Sequence, residues 1–182
     1  MTFSQVSGMC LQMNLISDPE LRKFIKNETD RELFYSAKEH YTLLSTLSRQ
    51  YNGVRIYDLG SYKGLSALAL SSNQNNMVIS YDIVYGVQID RPENVEFRVG
   101  NFYNDFQLLN SPLIMLDVDP HDGLFERNFV DNLVRNNYKG TVICDDIHLN
   151  DGMKTFWDSV TQEKTDITEY GHWSGTGMIT FK

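Results

Sequence analysis

Residues 54–64 read VRIYDLGSYKG, and the run LSALAL follows at once. A short apolar stretch that ends in Asp-Leu-Gly and leads straight into a helix-forming segment is a strand-to-helix turn. Gly60 allows the backbone to turn close to a ligand, and Gly64 lets the helix begin near the strand. The turn is not G-x-G-x-x-G, because Tyr62 holds the middle position. Nor is it a P-loop, since Lys63 precedes the second glycine and no Gly-Lys-Ser/Thr follows. Four more short apolar runs follow: MVISYDI (77–83), VEFRV (95–99), PLIMLDVD (112–119) and GTVICDD (140–146). The last two are apolar enough for strands buried on both faces. Helical composition lies between the runs, at 64–71, 105–110, 124–136 and 151–160. This alternation predicts an α/β fold, a doubly wound and mostly parallel sheet with helices on both faces. The segments TDITEY (165–170), GHWSGTG (171–177) and MITFK (178–182) differ, and read as a C-terminal antiparallel hairpin.

Toward the N-terminus the pattern is helical. Ser17 and Asp18 are positioned to cap a short helix through Pro19, Glu20 and Leu21. Residues 30–49 predict a single long helix, with Leu33, Phe34, Ala37, Tyr41, Leu44 and Leu47 recurring at spacings of three and four. Tyr41 falls on that stripe and reads as core, while Glu39-His40-Tyr41 also suits a lid over a ligand. Met1, Met9 and Met13 with Leu11, Leu15 and Ile16 are candidates for a flap over the site or a dimer arm, so a homodimer stays open. No repeat or linker divides the 182 residues. One domain is expected, a helical cap or lid over 1–52 and a core over 53–182.

Twenty-four Asp and Glu against 16 Lys and Arg give a net charge of −8. That balance argues against nucleic acid and anionic membranes, because phosphate binding draws most of its affinity from basic side chains. The two cysteines, Cys10 and Cys144, cannot build a disulfide framework or a zinc motif. The N-terminal residues lack the pattern of a secretory signal, and no run reaches the roughly 18 apolar residues of a membrane span. A cytoplasmic setting is expected. The negative excess is uneven: residues 1–50 are balanced, whereas residues 117–151 carry five net negative charges.

In open α/β sheets ligands sit beyond the carboxyl ends of the strands. After the first strand stand Asp58, Gly60 and Gly64. The second ends in Asp82, 24 residues on, where a carboxylate can accept hydrogen bonds from both ribose hydroxyls. The third ends in Gly100-Asn101-Phe102, an amide and an aromatic suited to an adenine. These residues and the closing hairpin resemble the class I S-adenosylmethionine-dependent methyltransferases, with their Rossmann-like core, over residues 54–182. The resemblance implies S-adenosylmethionine as cofactor. Asp58, Gly60, Ser61, Tyr62, Gly64 and Ser66 would shape the pocket for its methionine portion, Asp82 would hold the ribose, Asn101 and Phe102 the adenine, and Asp117 would face the bound cofactor. Two departures from the family pattern are Tyr62 in place of the middle glycine and Asn101 where Asp is usual.

The fourth run ends in Asp117-Val118-Asp119-Pro120-His121-Asp122 and the fifth in Asp145-Asp146-Ile147-His148. Adjacent strands would gather these carboxylates, which raise one another's pKa unless a hard cation such as Mg²⁺ relieves the repulsion. Such an ion can take a substrate hydroxyl as ligand and orient it. The pattern is similar to the metal-dependent O-methyltransferases, the group of catechol, caffeoyl-coenzyme A and macrocin-type enzymes. It implies Asp117, Asp145 and Asp146 as metal ligands and a small-molecule hydroxyl as acceptor, with the Asp-Asp pair nearer the sugar-modifying branch. The lysine base of the catechol branch is not matched, since Pro120 stands there. His121, His148 or an aspartate such as Asp145 is left as the base. Asp145 and Asp146 could instead cap the following helix, and His172 and Trp173, before the hairpin turn, could line an acceptor pocket, with packing the favoured role. Two rivals stay open, a metal-independent methyltransferase using a histidine base and a cofactor-binding scaffold without catalysis, while the glycine pattern and terminal hairpin disfavour a nicotinamide-dependent oxidoreductase.

Overall fold

The computed structural model describes residues 18–182, so Ser17, Cys10 and the apolar residues proposed as a flap or arm lie outside the described residues. Seven strands form one sheet: β1 (Arg55–Leu59), β2 (Met77–Asp82), β3 (Val95–Val99), β4 (Leu113–Leu116), β5 (Gly140–Asp145), β6 (Glu163–Asp166) and β7 (Thr176–Phe181). Their spatial order is β3-β2-β1-β4-β5-β7-β6. The first five are mutually parallel, and β7 runs antiparallel between β5 and β6. Strand order reverses at β1, which has β2 on one side and β4 on the other. That reversal opens a crevice above the carboxyl ends of β1 and β4.

The period of two along each strand sorts side chains between two cores. Ile56, Met115, Ile143 and Met178 face helices α1 (Glu28–Phe34), α2 (Tyr41–Ser48) and α3 (Leu65–Leu70). Tyr57, Leu59, Ile114, Leu116, Val142 and Cys144 face α4 (Leu124–Arg135) and α5 (Asp151–Ser159) through Phe129, Leu133, Phe156 and Trp157. Residues before β1 are built into the first core: Phe34, Leu43, Leu44 and Leu47 pack with the apolar side chains of α3. Among the described residues, no helix is long and apolar enough to cross a membrane.

The single helix expected over 30–49 is two helices. Asn27 caps α1, its Oδ1 accepting from the Asp30 amide at 2.8 Å, and the helix ends at Tyr35. The aromatic stripe explains the break. Phe34 and Tyr41 stack with centroids 5.2 Å apart, whereas seven residues of continuous helix would separate them by about 10.5 Å. Folding the chain back at 35–40 joins the rings and carries His40 toward the strand tips. The segment expected to be helical at 105–110 forms a 3₁₀ helix, Phe106–Asn110, capped by the Asp105 side chain. The remaining predicted helices and the closing hairpin are present.

Candidate active site

The crevice begins with a backbone constraint. Register places Leu59 beside Leu116, and the Asp117 amide donates to the Leu59 carbonyl at 2.8 Å. Gly60 therefore passes directly over the Asp117 peptide; a Cβ there would lie 1.6 Å from the Asp117 carbonyl oxygen, and its φ is +102°. Gly64, at φ +90°, starts α3 with Phe97 and Ile89 within 3.2 Å of the place of a Cβ. Between the two glycines, the Gly60 and Ser61 amides donate to the Tyr81 carbonyl at 2.9 and 3.1 Å. Tyr62 projects into solvent, and its amide donates to Asp82 Oδ2 at 2.8 Å. Asp82 Oδ1 accepts from the Val84 amide at 3.2 Å. Asp82 thus ties two loops across the crevice mouth and still has acceptor capacity for hydroxyls.

Asp58 lies beneath, wholly buried. Its Oδ2 accepts from Ser80 Oγ at 2.6 Å, the Ser80 and Ser61 hydroxyls are 2.5 Å apart, and Oδ1 has no hydrogen-bond partner among the described residues. Burial pushes the Asp58 carboxyl up to about 6, although the Ser80 and Ser66 hydroxyls favour its ionised form. The cleft above is lined by Tyr41, Gly60, Ser61, Tyr62, Ser66 and Asp117. Lys63 at its rim donates to Asp30 Oδ1 at 2.9 Å.

At the β3 end, Asn101 Oδ1 accepts from the Tyr103 amide at 2.9 Å and caps a single 3₁₀ turn, Phe102–Asn104. Phe102, expected to stack an adenine, is a core residue. Its ring meets Phe129 and Phe125 edge-on at 5.7 and 6.1 Å and is buried. Gly100, at φ +146°, turns the chain so that the aromatic inserts under the sheet, and Tyr103 beside it is the exposed ring.

Beyond β4 and β5 the acidic residues divide. Asp145 is buried between two imidazoles, His40 Nδ1 at 3.4 Å and His172 Nδ1 at 3.3 Å. Burial opposes its ionisation, but those imidazoles hold its carboxyl below the usual carboxylate range. Asp146 sits in the left-handed region at φ +61°, which turns its side chain to Ser174 Oγ and leaves Oδ2 3.6 Å from His121 Nε2. His121 Nε2 is also 3.7 Å from Asp117 Oδ1. Burial first, and then the Asp145 charge, push the Asp117 carboxyl up to about 8. Two groups result, His40–Asp145–His172 and Asp117–His121–Asp146, each with donor atoms within 4.8 Å of one another. The three carboxylates expected to share one ion are therefore divided between two histidine-containing sets.

Helix capping does not account for the pair. Asn150, not Asp145 or Asp146, caps α5, accepting from the Met153 amide at 3.0 Å. His148 does not join the cluster: its Nε2 lies 2.7 Å from Asp166 Oδ2 on β6, and the ring is exposed. The left-handed turn at Asp146 sends it there, and its amide donates to the Ser174 carbonyl at 2.8 Å.

The sequence reading also missed three participants. His172, read as packing in preference to lining an acceptor pocket, contacts both Asp145 and Asp146 at 3.3 Å, and its imidazole is pushed up to about 10 against the effect of burial, chiefly by hydrogen bonds to those carboxylates. Its Nδ1 also lies 2.7 Å from Ser174 Oγ. The hairpin held the signal: β7 runs antiparallel to β5 with Thr176 opposite Asp145, so the residues before β7 must arrive at the β5 tip. Glu126, buried with neither oxygen hydrogen-bonded among the described residues, lies 3.9 Å from His121 Nδ1. Glu39 Oε2 is 3.7 Å from His172 Nε2.

No protein-family profile and no curated protein matches the sequence. Solved structures do. The S-adenosylhomocysteine-bound methyltransferase PaMTH1 of Podospora anserina is 17% identical, with a TM-score of 0.60 over 98% of this chain and 94% of that one. The O-methyltransferase TomG of Streptomyces achromogenes, involved in tomaymycin synthesis and solved with S-adenosylmethionine, is 14% identical with a TM-score of 0.57 over the whole of both chains. An O-methyltransferase of Bacillus cereus solved with S-adenosylhomocysteine is 13% identical, TM-score 0.54, over 98% of this chain and 88% of that one. The chain has the Rossmann-like fold of the S-adenosylmethionine-dependent methyltransferases, and the likeness is one of fold.

Proposed function

We propose that this protein is an S-adenosylmethionine-dependent O-methyltransferase acting on a hydroxyl of a small molecule, with a sugar hydroxyl as the favoured acceptor and a divalent cation assisting. The observation that carries the reading is the juxtaposition at the reversal of strand order. A cleft kept open by a glycine that admits no side chain ends on an acid–imidazole cluster. Bound S-adenosylmethionine supplies an electrophilic sulfonium methyl.

The residues present fit that cofactor. Gly60, Ser61 and Ser66 line the side for the methionine portion, Asp82 retains lone pairs for ribose hydroxyls, and Asn101 and Tyr103 flank the edge beyond β3. His121 is the base in this reading. Its Nε2, 3.6–3.7 Å from the Asp117 and Asp146 side-chain oxygens, takes the proton of the acceptor hydroxyl, and Glu126 faces the other nitrogen. Asp117 and Asp146 would hold an oxygen-preferring ion such as Mg²⁺, which would supply Lewis acidity toward an acceptor oxygen.

Calorimetry of the whole protein with S-adenosylhomocysteine and with NAD tests the cofactor assignment. S-Adenosylhomocysteine is expected to bind and NAD to give no heat; the opposite pattern overturns the reading. With labelled S-adenosylmethionine and a panel of glycosides, His121→Gln is expected to lower turnover about 10²–10⁴-fold while S-adenosylhomocysteine affinity is unchanged. Turnover unaffected by a chelator would remove the cation from the reading.

A further inference from the structure

One buried group beside the cleft, His40, has no part in the proposed methyl transfer. His40 is 3% exposed, and neither of its ring nitrogens has a hydrogen-bond partner among the described residues. The Asp145 oxygen that faces it, Oδ1, is likewise buried and unpartnered. A buried polar atom left unpaired costs about 1–3 kcal/mol, and His40 Nδ1 and Asp145 Oδ1, which face each other at 3.4 Å, are a pair that one ion between them would satisfy. We propose that His40, Asp145 and His172 form a binding site for a borderline transition-metal ion of the zinc, cobalt or iron(II) kind, separate from the oxygen donors Asp117 and Asp146.

Distance supports this. His40 Nδ1 to Asp145 Oδ1 is 3.4 Å and His172 Nδ1 to Asp145 Oδ2 is 3.3 Å. Charge-assisted hydrogen bonds are shorter, about 2.7–2.9 Å. A tetrahedron with ligand bonds of about 2.0–2.1 Å has edges of about 3.3 Å. The two distances run to different oxygens of Asp145; with one ligand atom taken from each residue, the three lie within 4.8 Å of one another. Chemistry supports it as well: two imidazoles and one carboxylate with positions left open suit zinc or iron(II), whereas Mg²⁺ prefers oxygen throughout. Surrounding groups are in place to orient the ligands. Glu39 Oε2 stands 3.7 Å from the far nitrogen of His172, where a carboxylate favours the N–H that frees Nδ1 for the metal. On loading, Nδ1 of His172 exchanges the Ser174 hydroxyl for the ion, and Ser174 keeps its bond to Asp146.

The ligands come from the 35–40 turn, the tip of β5 and the turn before β7, so the ion would join three distant stretches of chain. The site does not rest on methyl transfer and is tested without turnover. Protein stripped by a chelator is titrated with Co²⁺, and the visible absorption of a low-symmetry cobalt centre is followed. The expected result is one equivalent of absorbing Co²⁺, displaced by Zn²⁺ and indifferent to millimolar Mg²⁺. His40→Gln and His172→Gln each lower the affinity by about 100-fold or more, while Asp117→Asn and Asp146→Asn retain the band. Because His40 is a core residue, the half-buried His172 serves as the variant that must stay folded, checked by circular dichroism. Wild-type protein that takes up neither Co²⁺ nor Zn²⁺ overturns the proposal. So does a band lost in Asp117→Asn and Asp146→Asn but kept in His172→Gln.

Discussion

Two neighbouring aspartates face different partners because one of them adopts a conformation uncommon outside glycine. Asp146 at φ +61° reverses the chain direction after β5, so Asp145 keeps the inward orientation of the strand while Asp146 turns to Ser174 and His121. At the same scale Gly60 separates two effects usually confounded, conformational strain and collision. Gly60 and Gly53 both have positive φ, +102° and +70°, but a Cβ on Gly60 meets the Asp117 carbonyl at 1.6 Å, while nothing lies within 4 Å of one on Gly53. Gly53→Ala is expected to cost about 1–2 kcal/mol from strain alone. Gly60→Ala adds the collision, and its loss of stability in urea denaturation is expected to exceed that of Gly53→Ala by at least about 1 kcal/mol. Equal losses would mean that the β1–β4 tips separate freely. Residues at strand tips, Gly60, Asp117 and His121 among them, were legible in the sequence because a strand end followed by a turn projects its side chains toward the crevice. The pairing of His40 and His172 with Asp145 was not, because His40 arrives through the fold-back at 35–40, which the apolar spacing does not mark, and His172 depends on the hairpin's register against β5.

At the scale of elements, the sheet carries a polar brace on its β3 side. The Asp105 carboxylate accepts from Tyr57 Oη at 2.8 Å, Tyr81 Oη at 3.2 Å and Arg98 Nη1 at 2.7 Å, linking β1, β2 and β3 to the 3₁₀ turn that Asp105 caps. Burial works against this carboxylate, but the tyrosine hydroxyls, the Gln107 amide and Arg98 hold it below its ordinary pKa. A lowered folded pKa gives stability that is present above the unfolded value of about 3.9 and is lost as pH falls through the folded one. Asp105→Asn is expected to flatten the acid limb of the unfolding-temperature profile below pH 4 and to lower stability near neutrality. A profile parallel to wild type would show that the brace does not act through charge. Elements were legible wherever periodicity was unambiguous, as in α4, α5 and the parallel strands. The helix expected over 30–49 failed for a specific reason: spacings of three and four continue across the 35–40 turn, since both helices present apolar faces to the same core, and nothing in the pattern marks where the chain doubles back.

Taken as a whole molecule, the chain concentrates its negative charge where two strand tips meet and pairs it with three imidazoles, those of His40, His121 and His172. Acidity that argued from composition against polyanionic partners is thus partly an internal arrangement. Cys144 reports on the integrity of the fold: it is fully buried in the second core, and burial raises its thiol well above the usual range. In a Cys10→Ser background, the thiol is expected to react with a disulfide reagent only at the rate of global opening. Ligands that bind the native state should slow that reaction, saturating S-adenosylhomocysteine at 100 times its Kd by about 100-fold if opening is at equilibrium. Fast labelling that ignores the ligand would place Cys144 in a locally mobile region.

The position of β7 has a consequence for synthesis. It is the last strand in chain order, yet it lies inside the sheet between β5 and β6. While the chain is emerging, β5, with its apolar Val142, Ile143 and Cys144, has an unpaired backbone edge that no earlier strand covers. A bare edge of that composition is a template for pairing with a second nascent chain. The stretch just before β7 also brings His172, so the strand that closes the hazard and the imidazole that completes the site arrive together. A released chain truncated before residue 172 would therefore keep that edge bare and lack the His172 imidazole.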